Sequence, residues 1–249
     1  MRKRLHMVLL LLSLWLASSC AYYQPQVAKM PLMQEKGELQ VTAGMTPVLP
    51  LALGSNGFYY QLDASYAITD HWGAAFYSTN LPPHQQLMVG YYAPLTPNIT
   101  TEVFGGYAVR QCDQVLGWRI YGEDYEYYRG LGHHPFVQVD IGIPAYHPSW
   151  CPRLSLMAGV GLRAGCLFSN YHAQLYDFSE EQGEWVLDKE WTASEHHWIT
   201  TPMVQLGIGG KWWMLHVSGG HNFSNNNRIV EIADLMVGLT IKIPTRSKK

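Results

Sequence analysis

Residues 38–243 alternate apolar and polar side chains along about ten stretches, and this alternation is the period of a half-buried β-strand. The clearest stretch places Phe58, Tyr60, Leu62, Ala64, Tyr66 and Ile68 on one face, and Gln61, Asp63 and Ser65 on the other. The stretches run to about ten residues, the length that crosses a bilayer as a tilted strand. The pattern therefore predicts an all-β chain that folds as an antiparallel up-and-down transmembrane β-barrel of about ten strands.

Short and long connections between the stretches alternate along the chain. The short ones are 69–71, 94–97, 144–152 and 210–211; the longer ones are 46–56, 111–134, 169–197 and 223–233, with 80–84 as a compact exception. Outer-membrane barrels have this asymmetry, with short turns on the periplasmic side and longer loops outside. Ten strands place all the short turns on one side. Eight strands would require two pairs of strands to merge, and twelve would require an additional hairpin within 111–134 or 169–197.

The polar face of the predicted strands carries charges of both signs. Its candidate lumen residues are Asp63, Glu102, Asp140, Arg110, Arg163, Gln205, His216 and Lys242. Carboxylates beside a histidine can do acid–base chemistry, but opposite charges inside a narrow barrel are more typical of a structural network. We therefore expect a filled lumen. A soluble periplasmic β-sandwich is the alternative, because its strands would also alternate, with the apolar face inward.

The N-terminus has the features of a secretory signal. Arg2, Lys3 and Arg4 precede an apolar run from Leu5 to Leu16 that is too short to span a bilayer as a mature helix. The sequence Leu16-Ala17-Ser18-Ser19-Cys20 resembles a bacterial lipobox, in which the cysteine is diacylated and becomes the new N-terminus. We predict a lipoprotein signal peptide over 1–19, lipidation at Cys20, a lipidated tether over 20–37, a β-barrel domain over 38–244 and a basic tail over 245–249. A plain signal peptide and an uncleaved anchor are the alternatives.

Composition agrees with a membrane barrel. Charged residues make up 14% of the chain and aromatic residues 13%, whereas soluble domains carry roughly 25% charged residues. Removing residues 1–19 takes away three of the 17 basic residues and none of the 19 acidic ones, which leaves a formal charge of −5. A nucleic-acid partner would require a basic stripe, so none is expected. The expected partner is outer-membrane lipid, at the cell outer membrane.

Residue types that could support catalysis or metal binding occur without the spacing that such sites need. His133-His134 and His196-His197 lie in predicted loops, where solvated side chains are the expectation. His216 and Ser218, followed by Glu231, loosely resemble the residues of outer-membrane lipid A deacylases. However, the alternation turns His216 and Ser218 toward the lumen rather than toward lipid. We therefore predict no catalytic, cofactor-binding or metal-binding residues, and a lipid-modifying barrel enzyme remains the alternative.

The long loops are the best candidates for ligand binding, since barrel loops are the variable, functional parts. Loop 169–197 interleaves acidic residues with Tyr171, Tyr176, Phe178, Trp185 and Trp191. A surface ligand is therefore expected at 111–134 and 169–197. Among the cysteines, Cys112 and Cys166 fall at the same rim and could form a disulfide, whereas Cys151 and Cys166 are predicted to lie too far apart.

Cys20 and several strand and turn segments match the pattern of a known family. The segments are Pro31-Leu32, Lys36-Gly37-Glu38-Leu39-Gln40, Tyr66-Ala67-Ile68-Thr69-Asp70-His71, Glu102-Val103-Phe104-Gly105-Gly106-Tyr107, Phe136-Val137-Gln138 and Val237-Gly238-Leu239. Through them the chain resembles Gram-negative outer-membrane β-barrel lipoproteins over nearly its full mature length. The resemblance implies a lipid-anchored barrel with no established activity. The chain ends in Ile241-Lys242-Ile243-Pro244 and basic residues, without the terminal aromatic residue common to many barrels.

Overall fold

The structure is a computed structural model that describes residues 29–47, 58–80, 83–116, 124–179, 184–225 and 233–244. The predicted signal peptide, Cys20, Glu231 and the basic tail lie outside the described residues, as does most of loop 46–56. In the described ranges no helix is long and apolar enough to cross a membrane.

The described chain forms β-strands joined by turns. They are β1 (Glu38–Pro47), β2 (Phe58–Ala67), β3 (Trp72–Asn80), β4 (Pro83–Thr96), β5 (Ile99–Leu116), β6 (Asp124–Tyr146), β7 (Ser155–Ser179), β8 (Glu184–Gly209), β9 (Trp213–His221), β10 (Phe223–Ser224) and β11 (Ala233–Pro244). The alternation of apolar and polar side chains explains why these segments form strands, because a strand that separates two environments needs a side-chain period of two.

The strands close into a single antiparallel barrel. Each strand from β1 to β8 pairs with the next one along the chain, β8 pairs with β9, β9 with β11, and β11 returns to β1. The two residues of β10 pair with β8 beside the end of β9, so β9 and β10 occupy one position in the ring. The described chain thus has ten strand positions, and the predicted ten-stranded up-and-down barrel is confirmed.

The two faces of the strands lie as predicted. In β6, Val137 and Val139 are 53% and 47% exposed on the outside, whereas Gln138 and Asp140 are 0% and 1% exposed inside. β2, β7 and β11 follow the same rule. A closed ring with its apolar side chains outward is the arrangement of a membrane barrel and the reverse of a soluble sandwich.

The short turns lie together at one end of the barrel, here called the turn end, and the opposite end is called the loop end. Residues 68–71, 97–98, 147–154 and 210–212 make the connections at the turn end, close to the predicted ranges. At the first of them the Thr69 hydroxyl accepts hydrogen bonds from the backbone N–H of His71 and Trp72. Thr69 thus stabilises the tight reversal that the sequence predicted.

The predicted extents of the two long loops are wrong. Residues 111–116 and 124–134 are strand rather than loop, and so are 169–179 and 184–197. The residues between these pairs, 117–123 and 180–183, lie outside the described part of the chain. These strand extensions carry polar residues on both faces because they stand beyond the apolar band of the barrel. Without an apolar face they lack the period of two by which the other strands were recognised.

The interior of the barrel is packed with apolar side chains as well as polar ones. One buried cluster contains Met33, Ala67, Ala75, Tyr77, Met88, Tyr92, Phe104, Ala108 and Phe136. A second contains Met30, Leu32, Met157, Met203 and Met214. Methionine suits such a space because its flexible, unbranched side chain fills irregular gaps. The lumen is therefore filled, as predicted, by aromatic rings and thioethers in addition to the expected charged groups.

Candidate functional site

A short segment that precedes β1 occupies the lumen at the turn end. We call residues 29–33 the plug. Lys29, Met30, Leu32 and Met33 are each at most 2% exposed. The plug belongs to the range 20–37 over which the sequence predicts a lipidated tether, and residues 34–36, which follow the plug, are exposed.

Side chains of several strands bind the backbone of the plug. The N–H groups of Leu32 and Met33 donate to the two carboxylate oxygens of Glu102 on β5, at 2.9 and 2.7 Å. The N–H of Met30 donates to Oε1 of Gln205 on β8 at 2.9 Å. Because one side chain binds two consecutive peptide N–H groups, Glu102 is the main clamp on the plug.

The carbonyl groups of the plug are bound from other sides of the ring. The Lys29 carbonyl accepts from the Tyr77 hydroxyl at 3.2 Å and from Nε2 of Gln138 at 3.1 Å. The Pro31 carbonyl accepts from Nε2 of Gln40 at 2.9 Å. Together with Glu102 and Gln205, these contacts come from β1, β3, β5, β6 and β8. The plug is thus held around the ring rather than against one wall.

Glycines on the inner face make room for the plug. A Cβ added at Gly73 would lie 2.2 Å from Sδ of Met33, and one added at Gly159 would lie 2.9 Å from Sδ of Met30. Leu32 adopts a left-handed backbone conformation with φ of 47°, which is unfavourable for a leucine. The burial of Leu32 and its hydrogen bond to Glu102 hold it in that conformation.

All eight predicted lumen residues face inward. Seven of them, Asp63, Glu102, Asp140, Arg110, Arg163, Gln205 and His216, are at most 2% exposed, and the side chain of Lys242 is 13% exposed. Their contacts differ from those of a simple network of ion pairs, because glutamine amides link the charged groups.

Arg163 is the centre of the amide-linked part of the lumen. Its Nε and Nη2 donate to Oε1 of Gln138 at 3.0 and 2.6 Å, and its Nη1 donates to Oε1 of Gln86 at 3.0 Å. Its guanidinium also lies 4.2 Å from the centroid of the Phe136 ring. Gln138 in turn donates to Oδ2 of Asp140 at 2.7 Å. The planar guanidinium therefore joins three strands and an aromatic ring across the lumen.

The turn end of the barrel has a second group of charged residues. Nζ of Lys242 lies 3.9 Å from Oε1 of Glu38 and donates to the Pro144 carbonyl at 3.4 Å. Oε2 of Glu38 accepts from the N–H of Gln34, directly after the plug. A cavity of about 210 Å³ lies here, lined partly by Glu38, Lys242 and Trp212. These contacts fix the chain where it leaves the lumen and begins β1.

His216 and Ser218 lie on the inner face of β9, as the alternation predicted. They are 1% and 0% exposed, and the ring nitrogens of His216 and the hydroxyl of Ser218 have no hydrogen-bond partner among the described residues. Buried polar atoms of this kind are commonly satisfied by ordered water. Both side chains face the lumen, away from the lipid-facing surface that an enzyme acting on membrane lipid would use.

The strands β5 to β8 extend well beyond the others at the loop end. We call residues 111–116, 124–132, 169–179 and 184–198 the projecting sheet. β7 and β8 contain 25 and 26 residues, compared with 10 in β1 and β2. Eleven residues of β7 alone add roughly 35 Å at the usual rise per residue. The barrel therefore carries an asymmetric sheet on one side of its rim.

Hydrogen bonds between side chains stiffen the projecting sheet. The Tyr171 hydroxyl donates to Oε1 of Glu195 at 2.7 Å, and Nε2 of His197 lies 3.0 Å from the other oxygen of Glu195. On the opposite face, Nε2 of His172 lies 2.6 Å from Oε1 of Glu190. The Tyr171–Glu195 and His172–Glu190 contacts join β7 to β8, and cross-strand pairs of this kind stabilise a sheet by roughly 0.2–1 kcal/mol each.

All four paired histidines lie on strands rather than in loops, so the prediction of loop histidines is wrong, and two of the four are also buried. His134 is 1% exposed and His197 is 6% exposed, both on the inner face of strands. His133 faces outward and contacts the Tyr107 hydroxyl at 2.8 Å, and His196 is exposed. Adjacent residues of a strand point to opposite faces, which explains the division within each pair. Within the described part of the chain, no three potential ligands lie close enough to hold a metal ion.

The cysteines agree with the predicted separation of Cys151 and Cys166. Both are free thiols, Cys151 in a turn at the turn end and Cys166 in the outer part of β7. Since Cys166 is a free thiol, it does not form the disulfide with Cys112 that the sequence allowed. Strand pairing places Cys112 opposite Gly130 of β6, whereas Cys166 is opposite Trp198 of β8.

No protein-family model matches this chain, and the comparison with curated proteins gives no match. Similar solved structures include the N-terminal β-barrel domain of Pseudomonas aeruginosa OprF, with 9% identity, 84% of this chain and 100% of that chain covered, and a TM-score of 0.29. The NanC porin has 13% identity, coverages of 82% and 100%, and a TM-score of 0.33. The translocator domain of the autotransporter NalP from Neisseria meningitidis has 9% identity, coverages of 83% and 86%, and a TM-score of 0.37. At these values the comparisons carry no argument about a ligand or an activity.

Proposed function

We propose that this chain is an outer-membrane lipoprotein, anchored through a lipidated Cys20, whose barrel supports a ligand-binding sheet at the cell surface. The observation that carries the proposal is the difference in strand length: β5 to β8 project beyond the rim, whereas the turn end is short throughout. In outer-membrane barrels the longer connections face the outside of the cell. The projecting sheet then faces the medium, and the turn end faces the periplasm.

A supporting role fits the closed interior better than transport does. The plug, the Arg163 contacts and the two buried apolar clusters together fill the lumen toward the turn end. A barrel that conducts solutes needs a continuous aqueous path through its lumen. We therefore assign the barrel the task of holding the projecting sheet, with outer-membrane lipid around its apolar band and at the anchor.

Catalysis is not part of this proposal. A lipid-modifying enzyme would require its nucleophile and base to reach the acyl or headgroup region, and His216 and Ser218 lie on the lumen face instead. We predict that His216→Ala leaves the lipids of isolated membranes unchanged. Loss of a lipid-modifying activity in a folded His216→Ala barrel would favour the enzyme alternative.

Labelling of intact cells tests the orientation. In a background in which Cys112, Cys151 and Cys166 are replaced by serine, single cysteines are introduced by Ser194→Cys on β8 and by Ser149→Cys in the turn between β6 and β7. A membrane-impermeant maleimide is expected to label Ser194→Cys in intact cells and Ser149→Cys only after lysis. The reverse result, or labelling of neither in intact cells, would contradict the proposed surface role.

The anchor requires a separate measurement. Cys20→Ala should remove incorporation of a radiolabelled or alkyne-tagged fatty acid, while the barrel stays in the membrane fraction and changes mobility on heating in detergent. Solubility of Cys20→Ala after mild washing, with no mobility change, would show that the lipid is the sole attachment to the membrane.

A further inference from the structure

β8 has an edge that no described strand covers. On one side it pairs with β7 along its whole length, from Gly209 to Glu184. On the other side it pairs with β9 over Met203–Gly209 and with β10 at Ile199 and Thr200. In the part of the chain that the structure describes, no strand pairs with residues 192–198 on that side. We call residues 192–198 the β8 edge.

The β8 edge is straight and already in strand geometry. The register between β7 and β8 is continuous from Ser155 opposite Gly209 to Leu175 opposite Lys189, and it shifts only beyond that point. The shift leaves Asp188 without an opposite residue, and β7 and β8 continue to pair in the new register as far as Ser179 opposite Glu184. Seven residues at about 3.3 Å each give an edge of roughly 23 Å.

The neighbours of the β8 edge fix its position. Ser224 of β10 is opposite Ile199, so β10 ends immediately below the edge. The hydrogen bond from the Tyr171 hydroxyl to Glu195 joins the β8 edge to β7. A strand added at residues 192–198 would lie in line with β10 and would find its backbone partners preformed, because every second residue of an antiparallel edge points its N–H and C=O outward.

We propose that the β8 edge binds an extended, cationic segment of another protein by β-strand addition. Main-chain hydrogen bonds give affinity in this mode of recognition, and side chains on the two faces give selectivity. This inference rests on the proposed surface role of the projecting sheet, because it names the partner of that sheet.

Charge selects the partner. Between residues 184 and 198 there are four carboxylates, Glu184, Asp188, Glu190 and Glu195, and one basic residue, Lys189, a formal charge of −3 with neutral histidines. Glu190 contacts His172 on one face of the sheet, and Glu195 contacts Tyr171 on the other. An added strand of nine residues opposite 190–198, with lysine or arginine on both faces, would meet Glu195 on one face and, two residues beyond the β8 edge, Glu190 on the other. A second copy of this chain would bring like charges together.

A defined peptide tests the proposal on the full chain in detergent micelles. The probe is a fluorescent nine-residue peptide of lysine, valine and threonine with lysines on both faces, and binding is followed by anisotropy. We expect it to bind, and we expect two matched peptides to fail: one with glutamate in place of lysine, and one with alternate backbone nitrogens methylated. The methylated peptide keeps its charge but cannot add as a strand. Equal binding of the methylated peptide would overturn strand addition.

Protein variants test the position of the site. Glu190→Gln combined with Glu195→Gln is expected to raise the dissociation constant about 5- to 30-fold, since each charge contact contributes roughly 0.5–1 kcal/mol. Glu184→Gln, beyond the bulge, is the matched control and should leave the dissociation constant unchanged. Equal effects of the two changes would place the peptide elsewhere.

Further outcomes would overturn the proposal. Binding that appears only after residues 226–232 are replaced by a glycine–serine linker would show that the chain covers its own edge. Dimerisation through β8 in sedimentation experiments would make a second copy the occupant. Failure of peptide binding in a protein whose Ser194→Cys variant is labelled on intact cells would refute this inference alone. Absence of that labelling would refute the surface role itself.

Discussion

The backbone N–H of Met33 donates to Oε1 of Glu102 at 2.7 Å, deep inside the barrel. This contact joins a residue that precedes β1 to the part of β5 nearest the turn end. Since the second oxygen of Glu102 binds the N–H of Leu32, one carboxylate holds two consecutive peptide groups of the plug. Glu102 therefore makes two of the hydrogen bonds that hold the plug, whereas Gln205, Tyr77 and Gln40 each make one.

Replacement of Glu102 is expected to loosen the plug. Glu102→Ala removes two hydrogen bonds and leaves the buried N–H groups of Leu32 and Met33 without an acceptor, at a cost of about 1–3 kcal/mol each. In planar bilayers we expect the unchanged protein to show no steady ion conductance and Glu102→Ala to show open events. Val103→Ala, on the lipid-facing side of the same strand, is the control and should stay closed. Steady conductance of the unchanged protein would contradict a plugged lumen.

Two glycines on adjacent strands are expected to differ sharply in their tolerance of a methyl group. A Cβ at Gly90 would lie 2.2 Å from the carbonyl oxygen of Val103, whereas a Cβ at Gly105 meets no atom within 4 Å. Gly90→Ala should lower the free energy of unfolding by about 1–3 kcal/mol, the usual cost of overpacking, and Gly105→Ala should leave it nearly unchanged. Urea unfolding in lipid vesicles, followed by tryptophan fluorescence, measures both. A similar change in the free energy of unfolding for the two variants would contradict the close approach of β4 and β5.

Arg163 should not be replaceable by lysine. Lysine keeps the charge but cannot reproduce the planar fork that binds Gln138 and Gln86, nor the stacking on Phe136. We expect Arg163→Lys to lower the free energy of unfolding by about 1–3 kcal/mol, since it leaves buried amide oxygens without their donors. Arg153→Lys in the exposed turn provides the reference and should have no measurable effect. Equal stability of the two variants would mean that only the charge at position 163 matters.

The lipid-facing band can be tested with a charge. Val160 is 53% exposed on the outside of β7. In a membrane barrel, Val160→Lys should cost roughly 2–4 kcal/mol near the bilayer midplane and reduce the fraction of protein that folds into vesicles. Ser194→Lys, on the projecting sheet, should fold normally. A soluble protein would tolerate both changes on its surface equally well, and that result would exclude the membrane assignment.

The faces of the strands could be predicted from the sequence because lipid imposes a strict alternation. Val137, Val139 and Ile141 have to be apolar, and the residues between them face a different environment. The same alternation placed Asp63, Glu102 and Arg163 in the lumen. In each case one physical demand, the contact of every second residue with lipid, determined the pattern.

The plug and the projecting sheet were missed for two different reasons. The plug is a short apolar run, Met30-Pro31-Leu32-Met33, without periodicity, so only its apolar character in an otherwise polar tether could have indicated burial. Its partners, such as Gln205, lie far away in sequence. The projecting sheet stands outside the apolar band, so residues such as His172 and Glu190 alternate only between two polar faces. Tertiary contacts and strand pairing determine both features, and local pattern does not report them.

The position of the plug also dictates an order of assembly. Only residues 34–37 separate the plug from β1, and β1 must pair with β11 to complete the ring, although their sequences are separated by about 190 residues. Once that last seam has formed, Met30, Leu32 and Met33 cannot be packed among the inner side chains from the side. A plug that packs from the side therefore has to lie against the inner face of the wall before β11 pairs with β1, and closure of that seam then completes the interior of the barrel.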